Sequence, residues 1–134
     1  MTVENKMEKP GMNQSSLATL FSDISTEGGF SAIILTDESG LPIAASNKEG
    51  EDAEIHAATV SKIQRTISQT NIHLNMSELE EFSMYDNSGK RLIIRPFNTS
   101  SSIFFLAILM PLKSMPYKRL MNKVIRLVSR DSNF

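Results

Sequence analysis

The feature that most constrains the fold is the segment from Ile103 to Met110, which is apolar at all eight positions. It is much too short for a membrane-spanning helix, which takes about 20 residues, and Pro111 ends it. A strand without polar alternation must be covered on both faces. The segment therefore predicts a central strand in a sheet with helices packed on each side.

Two pairs of shorter runs enclose similar turn sequences. "FSAIILT" (30–36) and "LPIAAS" (41–46) flank an Asp-Glu-Ser-Gly link, and "EEFSMYD" (80–86) and "KRLIIRPF" (90–97) flank an Asp-Asn-Ser-Gly link. Asp at the start and Gly at the end of a short link are typical of β-hairpins. We therefore expect two hairpins besides the central strand.

The two hairpins differ at their outer strands. Pro42 lacks a backbone N–H, so the second strand is expected at an edge of the sheet. The third strand, 80–86, has no proline, and it is expected to be an exposed edge that could pair with another chain.

Two shorter segments have the periodicity of amphipathic helices. Ser15 or Ser16 could cap the first, and Gly28 with its following glycine would end it. Ser114 and Pro116 would begin the last helix. The apolar stripes are Leu17, Leu20, Phe21 and Ile24 in the first helix, and Tyr117, Leu120, Met121, Val124 and Val128 in the last.

A longer helix is predicted from Glu51 to about Gln69. Its stripe consists of His56, Val60, Ile63 and Ile67, and the small residues Ala53, Ala57, Ala58 and Ser61 would allow another backbone to approach closely. One helix covers a sheet face incompletely, so a second copy of the chain could complete the layer.

The element order is therefore α-ββ-α-βββ-α. Placing the last strand between the hairpins predicts the strand order 2-1-5-4-3, an α/β (α+β) sandwich with helices on both faces. At 134 residues the chain is expected to form one domain. We predict a flexible tail over 1–14, a folded domain over 15–130 and a short tail over 131–134.

Composition excludes several classes of function. A net charge of −1 and a pI near 6.1 give no overall field for gripping nucleic acid. Without cysteine the chain has no disulfide, thiol nucleophile or zinc–thiolate site. Its first residues lack the apolar core of a signal peptide, and we expect a cytoplasmic protein without a transmembrane segment.

No catalytic residue, metal ligand or cofactor site is predicted. The first turn lacks the oxygen ligands that a calcium loop needs after Gly40, and Gly89-Lys90 lacks the other residues of a phosphate-binding loop. His56 is expected to be a half-buried packing or interface residue, and His73 to lie in a loop. A carboxylate pair drawn from Asp37, Glu38, Glu80, Glu81 and Asp86 stays open at this point.

The last helix is rich in cations. Lys113 precedes it, and Lys118, Arg119, Lys123, Arg126 and Arg130 lie on it, with Asp131 as the sole acid. This pattern is typical of a solvated outer face whose cations suit a helix C-terminus. It would also fit docking to an acidic protein or to an anionic membrane surface.

In order and spacing, the segment from Leu17 to Val128 resembles a Roadblock-type domain of the dynein light-chain family, which includes bacterial and archaeal regulators of small GTPases. The resemblance rests on "GGFSAIILTDESGLPIAAS", the alanine-bearing long helix, "RLIIRPF", "SIFFLAILMP" and the amphipathic last helix.

The resemblance implies a five-stranded antiparallel sheet, with the two terminal helices on one face and the long helix on the other. It also implies a dimer, with itself or a paralogue, through the long helix and the third strand. On this sequence the interface would comprise Ala53, His56, Ala57, Val60, Ser61, Gln64, Phe82, Met84 and Tyr85.

By the same resemblance, the dimer would be a non-enzymatic scaffold or activator of a small Ras-like GTPase, and no arginine is assigned as a catalytic finger. Two alternatives stay open. A PAS- or longin-like sensor would need an internal pocket, and an adaptor in a motor or trafficking complex would use the same surface as the GTPase regulator.

Overall fold

A computed structural model describes residues 13–48 and 52–131. Its elements are α1 (Gln14–Gly28), β1 (Ala32–Asp37), β2 (Pro42–Asn47), α2 (Ala53–His73), β3 (Phe82–Tyr85), β4 (Arg91–Asn98), β5 (Ile103–Met110) and α3 (Lys118–Asp131). The strands form one antiparallel sheet in the order β2-β1-β5-β4-β3. The predicted class, element order and strand order are confirmed. The tails expected over 1–14 and 131–134 lie largely outside the described residues.

The central position of β5 follows from its two apolar faces. Leu106 and Ile108 are fully buried on one side of the sheet, and Ala107 is fully buried on the other. The strand pairs with β1 on one flank and β4 on the other. The strand with no polar alternation is therefore central, as its sequence predicts; its α1–α3 face is buried, whereas on its α2 face Ile103 is exposed and Phe105 is half-buried.

One face of the sheet is closed by α1 and α3 together. Phe21 of α1, Ile33 of β1, Ile93 of β4 and Val124 of α3 belong to one buried cluster. All four are fully buried. This arrangement confirms that the two terminal helices share a face, and it gives that face a core of large side chains.

The opposite face carries α2 alone. Ala57 and Val60 of the helix pack in a second, smaller cluster with Ala32, Ile34 and Ile94 of the sheet. Small side chains bring the helix close to β1 and β2, so the β3 side of this face lies beyond its reach. The long helix therefore covers its face incompletely.

The start of α1 differs from the prediction. The residue that caps it is Asn13, whose Oδ1 accepts a hydrogen bond from the Ser16 backbone N–H at 2.9 Å, so neither Ser15 nor Ser16 is the cap. Asn serves here because its side-chain oxygen reaches the first unpaired N–H groups of the helix. Gly29 ends the helix in the left-handed conformation at φ 72°, as the glycine pair predicts.

The long helix continues past its predicted end at Gln69. Its last residue is His73, so the prediction that His73 lies in a loop is wrong. After Ile67 the helix is polar except for Ile72, which is exposed and lies off the apolar stripe, so apolar periodicity gives no signal there although the backbone continues its hydrogen-bond ladder. Asn75 ends the segment with φ 58°, a conformation that asparagine adopts more readily than most residues.

The two hairpin turns have the same geometry. Asp37 Oδ1 accepts hydrogen bonds from the Ser39 N–H, the Ser39 hydroxyl and the Leu41 N–H at 2.8–2.9 Å. Asp86 repeats the pattern with Ser88 and Lys90 at 2.7–3.0 Å. The acidic residues of both turns thus organise the backbone, as the turn interpretation predicts. No described helix is long and apolar enough to cross a membrane.

Candidate interaction surface

The sheet-facing side of α2 is formed by four residues that the sequence predicts at a dimer interface. Ala57, Val60, Ser61 and Gln64 are at most 8% exposed, and they pack inside the single chain. The small residues of α2 face the chain's own sheet. Small side chains allow close packing against the chain's own strands as readily as against a partner. A partner would therefore have to contact other residues of α2.

The remaining predicted interface residues divide between the two faces. His56 is half-buried, and the structure does not describe the Ala53 side chain. Phe82 packs on the α2 side of the sheet, and Met84, 48% exposed, follows it by two positions on the same side. Tyr85, 60% exposed, points to the opposite face, where the Lys113 ammonium lies 4.5 Å from its ring centroid.

A groove of about 620 Å³ separates α2 from the edge strand β3. It occupies the part of the sheet face that α2 leaves uncovered. Its walls combine apolar side chains with hydroxyls, an amide and two charged groups. The apolar members are Ile63, Ile67, Met76, Leu79 and Phe82, and Lys62 and Glu81 are the charged ones. Sequence reasoning did not identify this groove, because its two walls are nine or more residues apart in the chain.

Other exposed apolar side chains lie elsewhere on α2 and in the loop that follows it. Ile55 near the start of the helix is 61% exposed and Ile72 near its end is 77% exposed. In the loop that follows, Leu74 and Met76 are 63% and 57% exposed. Met76 lines the groove along β3, whereas Ile55 lines a separate groove together with Gly40. Large exposed apolar groups of this kind mark interaction surfaces.

Gln64 fixes α2 against the first hairpin. Its Nε2 donates to the Glu38 carbonyl at 2.7 Å, and the Thr36 hydroxyl donates to its Oε1 at 3.4 Å. Because Gln64 is 4% exposed, both of its polar ends need such partners. A lone glutamine four residues after Val60 in a buried stripe was the sequence signal for this contact.

The first turn also touches α2 directly. A Cβ added at Gly40, whose φ is 93°, would lie 2.0 Å from the Ser61 hydroxyl oxygen. The corresponding Gly89 of the second turn, φ 97°, has open space at that position, its nearest neighbour being the Lys113 backbone nitrogen at 4.0 Å. Glycine is therefore required for packing at the first turn and only for backbone conformation at the second.

Polar contacts on the other face connect the edge strand to α3. Glu81, which precedes β3, accepts a hydrogen bond from the Tyr117 hydroxyl at 2.6 Å and pairs with the Arg95 guanidinium at 2.7 Å. Arg95 also donates to the Asn122 side chain. The Arg91 guanidinium lies over the Tyr117 ring, 5.2 Å from its centroid. Together these groups hold the start of α3 over β3 and β4.

This network changes two pKa values. Burial tends to raise the pKa of Glu81, but the hydrogen bonds from Tyr117 and Arg95 outweigh it and lower the pKa below its ordinary value. Burial and the Glu81 carboxylate both raise the pKa of Tyr117. Glu81 is therefore held as a carboxylate that anchors the edge strand, and its geometry is structural.

The cations of α3 lie on its outward side. Lys118, Arg119, Arg126 and Arg130 are exposed and Lys123 is half-buried, while the predicted apolar stripe from Tyr117 to Val128 is buried. Arg119 pairs with Glu27 of α1 at 3.1 Å. The basic stripe predicted from the sequence is thus presented to solvent beside α1.

The carboxylates of the two hairpin turns lie far apart. Asp37 lies beside Phe104 at the start of β5, whereas Asp86 precedes β4 beside Met110 at its end. Six residues of strand separate these levels by about 20 Å, so the two turns cannot supply one carboxylate pair. Residues 13–48 and 52–131 contain no group of three or more His, Cys, Asp or Glu side chains that could hold a metal ion.

Comparisons with known proteins agree with this architecture. A family model of the Roadblock/LC7 domain matches residues 17–100. The chain is similar to the solved gliding protein MglB from Thermus thermophilus, with a TM-score of 0.69 and 12% identity over 92% of this chain and 93% of that one. An MglB structure with a tetrameric arrangement aligns with the same values.

A solved Roadblock/LC7 domain from Streptomyces avermitilis aligns with a TM-score of 0.65 and 16% identity, covering 84% of this chain and 92% of that one. At these identities the structural likeness concerns the fold alone. No curated protein sequence matches the chain significantly.

Proposed function

The chain belongs to the Roadblock/LC7 domain family, and from that premise we propose that it is a non-enzymatic dimeric adaptor or regulator of a small Ras-like GTPase. The observation that carries the proposal is the uncovered part of the α2 face, which ends at the exposed edge strand β3. An apolar groove beside a strand with one free edge offers both side-chain burial and backbone hydrogen bonds to a partner.

A second copy of the chain is the occupant that fits both features. Two β3 strands pairing antiparallel about a two-fold axis would extend the sheet to ten strands. Each groove would then receive the partner's α2. The apolar groups placed at this seam are Ile63, Ile67, Phe82 and Met84. They replace the buried Ala57, Val60, Ser61 and Gln64 in the interface implied by the resemblance.

Support for self-association also comes from the MglB structure with a tetrameric arrangement. The proposed role toward a GTPase comes from the family resemblance, in which dimers of such domains scaffold GTPases or stimulate hydrolysis. A PAS- or longin-like sensor would enclose a ligand between helix and sheet. In this chain Val60 and Ile94 share one buried cluster at that place, and the groove of about 350 Å³ beside it, between Ile67 and Phe105, is the observation that would favour the sensor.

The dimer is tested by light scattering during gel filtration at several protein concentrations. We expect twice the 14.9 kDa mass of the chain. Met84→Glu should weaken association at least about tenfold, because a charge would lose its water at the seam. Leu41→Glu is the matched control, since Leu41 is 63% exposed at the turn beside the opposite edge. Equal dissociation of both variants, or a monomer for the unmodified chain, contradicts the proposed seam.

The GTPase is tested by calorimetry with small Ras-like GTPases from the same genome, each loaded with GDP or with a non-hydrolysable GTP analogue. We expect binding to one GTPase in a nucleotide-dependent manner. Hydrolysis measured with and without the protein then separates an activator from a scaffold. Nucleotide-independent binding, or none across the set, would overturn this part of the proposal.

A further inference from the structure

The charges of the chain are segregated along its sequence. Residues 90–134 contain nine of the fourteen Lys and Arg residues but one of the fifteen Asp and Glu residues. The near-zero net charge therefore conceals a strongly basic C-terminal third and an acidic remainder. Segregation of this size creates a local field that the net charge does not reveal.

The fold concentrates part of this positive charge on one helix face. Arg119, Lys123, Arg126 and Arg130 follow one another at intervals of three or four residues, so they form a single stripe on the outward side of α3. Lys118 lies beside the stripe and is exposed. The stripe spans about 16 Å at 1.5 Å per residue.

One acid of the neighbouring helix pairs with the stripe at its Arg119 end. Glu27 of α1 pairs with Arg119, but both side chains are well exposed, at 48% and 75%, and such a pair exchanges readily with solvent or another anion. Asp23 is the other acid described on α1. Lys118 and Arg126 are exposed and Lys123 is half-buried. None of the three forms an ion pair among the described residues.

We infer that this outward face of α3 binds an anionic lipid surface and thereby orients the protein on a membrane. The grooves described in the structure are lined by α2, the sheet and the connecting loops, and no α3 residue lines any of them. Peptides that bind as a strand, as an amphipathic helix or as a proline-rich segment need a free sheet edge or a groove, neither of which this face offers. A groove-free stripe of cations is instead complementary to a planar array of phosphate groups.

The proposed dimer, on which the strength of this binding rests, would double the basic surface. The start of α3 is held over β3 and β4 by the Tyr117–Glu81 and Asn122–Arg95 contacts, whereas α1 packs on β2 at the far edge. The two α3 helices would thus lie next to the two-fold axis on the same face of the extended sheet. Two adjacent stripes bind a surface more tightly than one, since the second contact is intramolecular.

The inference is tested by flotation of the full chain with vesicles of pure phosphatidylcholine, and with vesicles in which about a third of the lipid is phosphatidylserine. We expect binding only to the anionic vesicles, and its loss at high salt. Each neutralised cation should reduce affinity about fivefold. Because one substitution removes two cations from the dimer, Arg126→Gln should lose about 25-fold and Lys123→Gln/Arg126→Gln about 600-fold. Lys48→Gln is the matched control, because it removes one exposed charge directly after β2, at the opposite edge.

The Met84→Glu variant separates this inference from the proposed function. If it is monomeric and floats at least about tenfold less well than the dimer, the paired helices carry the binding. A dimer that ignores anionic vesicles overturns the lipid inference and leaves the dimer proposal intact. A monomeric wild-type chain that floats in an Arg126-dependent manner supports lipid binding and overturns the dimer. Absence of flotation together with Arg126-dependent binding of polyglutamate would assign the stripe to an acidic protein instead.

Discussion

The two faces of the sheet are covered by different numbers of helices, two on one face and one on the other. On one face α1 and α3 bury a core of large side chains such as Phe21, Ile93 and Val124. On the other, α2 alone packs through Ala57 and Val60 and leaves the groove along β3. The face that two helices cover buries its apolar surface within the chain. The face that one helix covers keeps apolar surface available for association.

The largest expected effect comes from two adjacent residues of β4 that point to opposite faces. Ile93 and Ile94 are both fully buried, the first in the α1–α3 core and the second under α2. Each isoleucine-to-alanine change should cost about 2–5 kcal/mol. We expect Ile93→Ala to lie nearer the upper limit, because a cavity among large side chains cannot relax easily, whereas α2 has space beside it. Urea unfolding of both variants at equal, high protein concentration measures the difference. A larger loss for Ile94→Ala would contradict the view that the α2 face is the looser one.

The two turn glycines offer a second matched comparison. Gly40→Ala should destabilise the chain by about 1–3 kcal/mol, because it combines a left-handed backbone with a clash against Ser61. Gly89→Ala carries the backbone cost alone, about 1 kcal/mol, since the space around it is open. Thermal unfolding monitored by circular dichroism compares them. If packing against α2 causes the difference, adding Ser61→Gly to Gly40→Ala should recover most of it. Equal losses for the two single variants would show that the turn does not press on the helix.

The smallest effect is a pH dependence confined to the α3 face. Since the folded-state pKa of Glu81 lies below its ordinary value of 4.5, its contribution to stability is complete above that pH and disappears as the pH falls through the lowered folded-state pKa. Tyr117 acts in the opposite direction: its raised pKa stabilises the chain below pH 10.0 and ceases to do so as the pH rises through the folded-state value.

Glu81→Gln should therefore flatten the acid side of the stability curve, measured by urea unfolding as the pH is lowered from 4.5 through the folded-state pKa of Glu81. Glu80→Gln is the control, because Glu80 is the exposed neighbour and has no part in the network around Tyr117. If both variants retain the slope of the unmodified chain, the Glu81–Tyr117–Arg95 contacts do not hold the edge strand in solution.

Most of the architecture followed from local patterns, and the errors have physical reasons. The cap of α1 was placed two or three residues late because Asn13 stands in a polar stretch where several side chains could cap a helix. The end of α2 was placed early because its last turn is solvated, and the exposed Ile72 there does not continue the apolar stripe. In both cases backbone hydrogen bonds decide where the helix begins or ends, and hydrophobic periodicity does not report them.

The interaction surface was less predictable than the fold. Ala57, Ser61 and Gln64 suit a close contact with another helix, and equally well a close contact with the chain's own strands. Only the packed structure distinguishes the two, because the rotation of α2 about its axis depends on the strands beneath it. The groove along β3 could not be predicted from local patterns either, because its width depends on how α2 packs across the sheet relative to the next strand, β3.

The sequence by itself determined the central place of β5, the two hairpins, the strand order and the basic stripe of α3, because each depends on residue type and spacing within one segment. Tertiary structure alone decided which side of α2 is buried, that Gly40 must be glycine to admit Ser61, and that Glu81 ties the open edge to α3. These contacts join residues between 21 and 36 positions apart. Side chains at such distances meet only after the whole sheet has closed around its central strand.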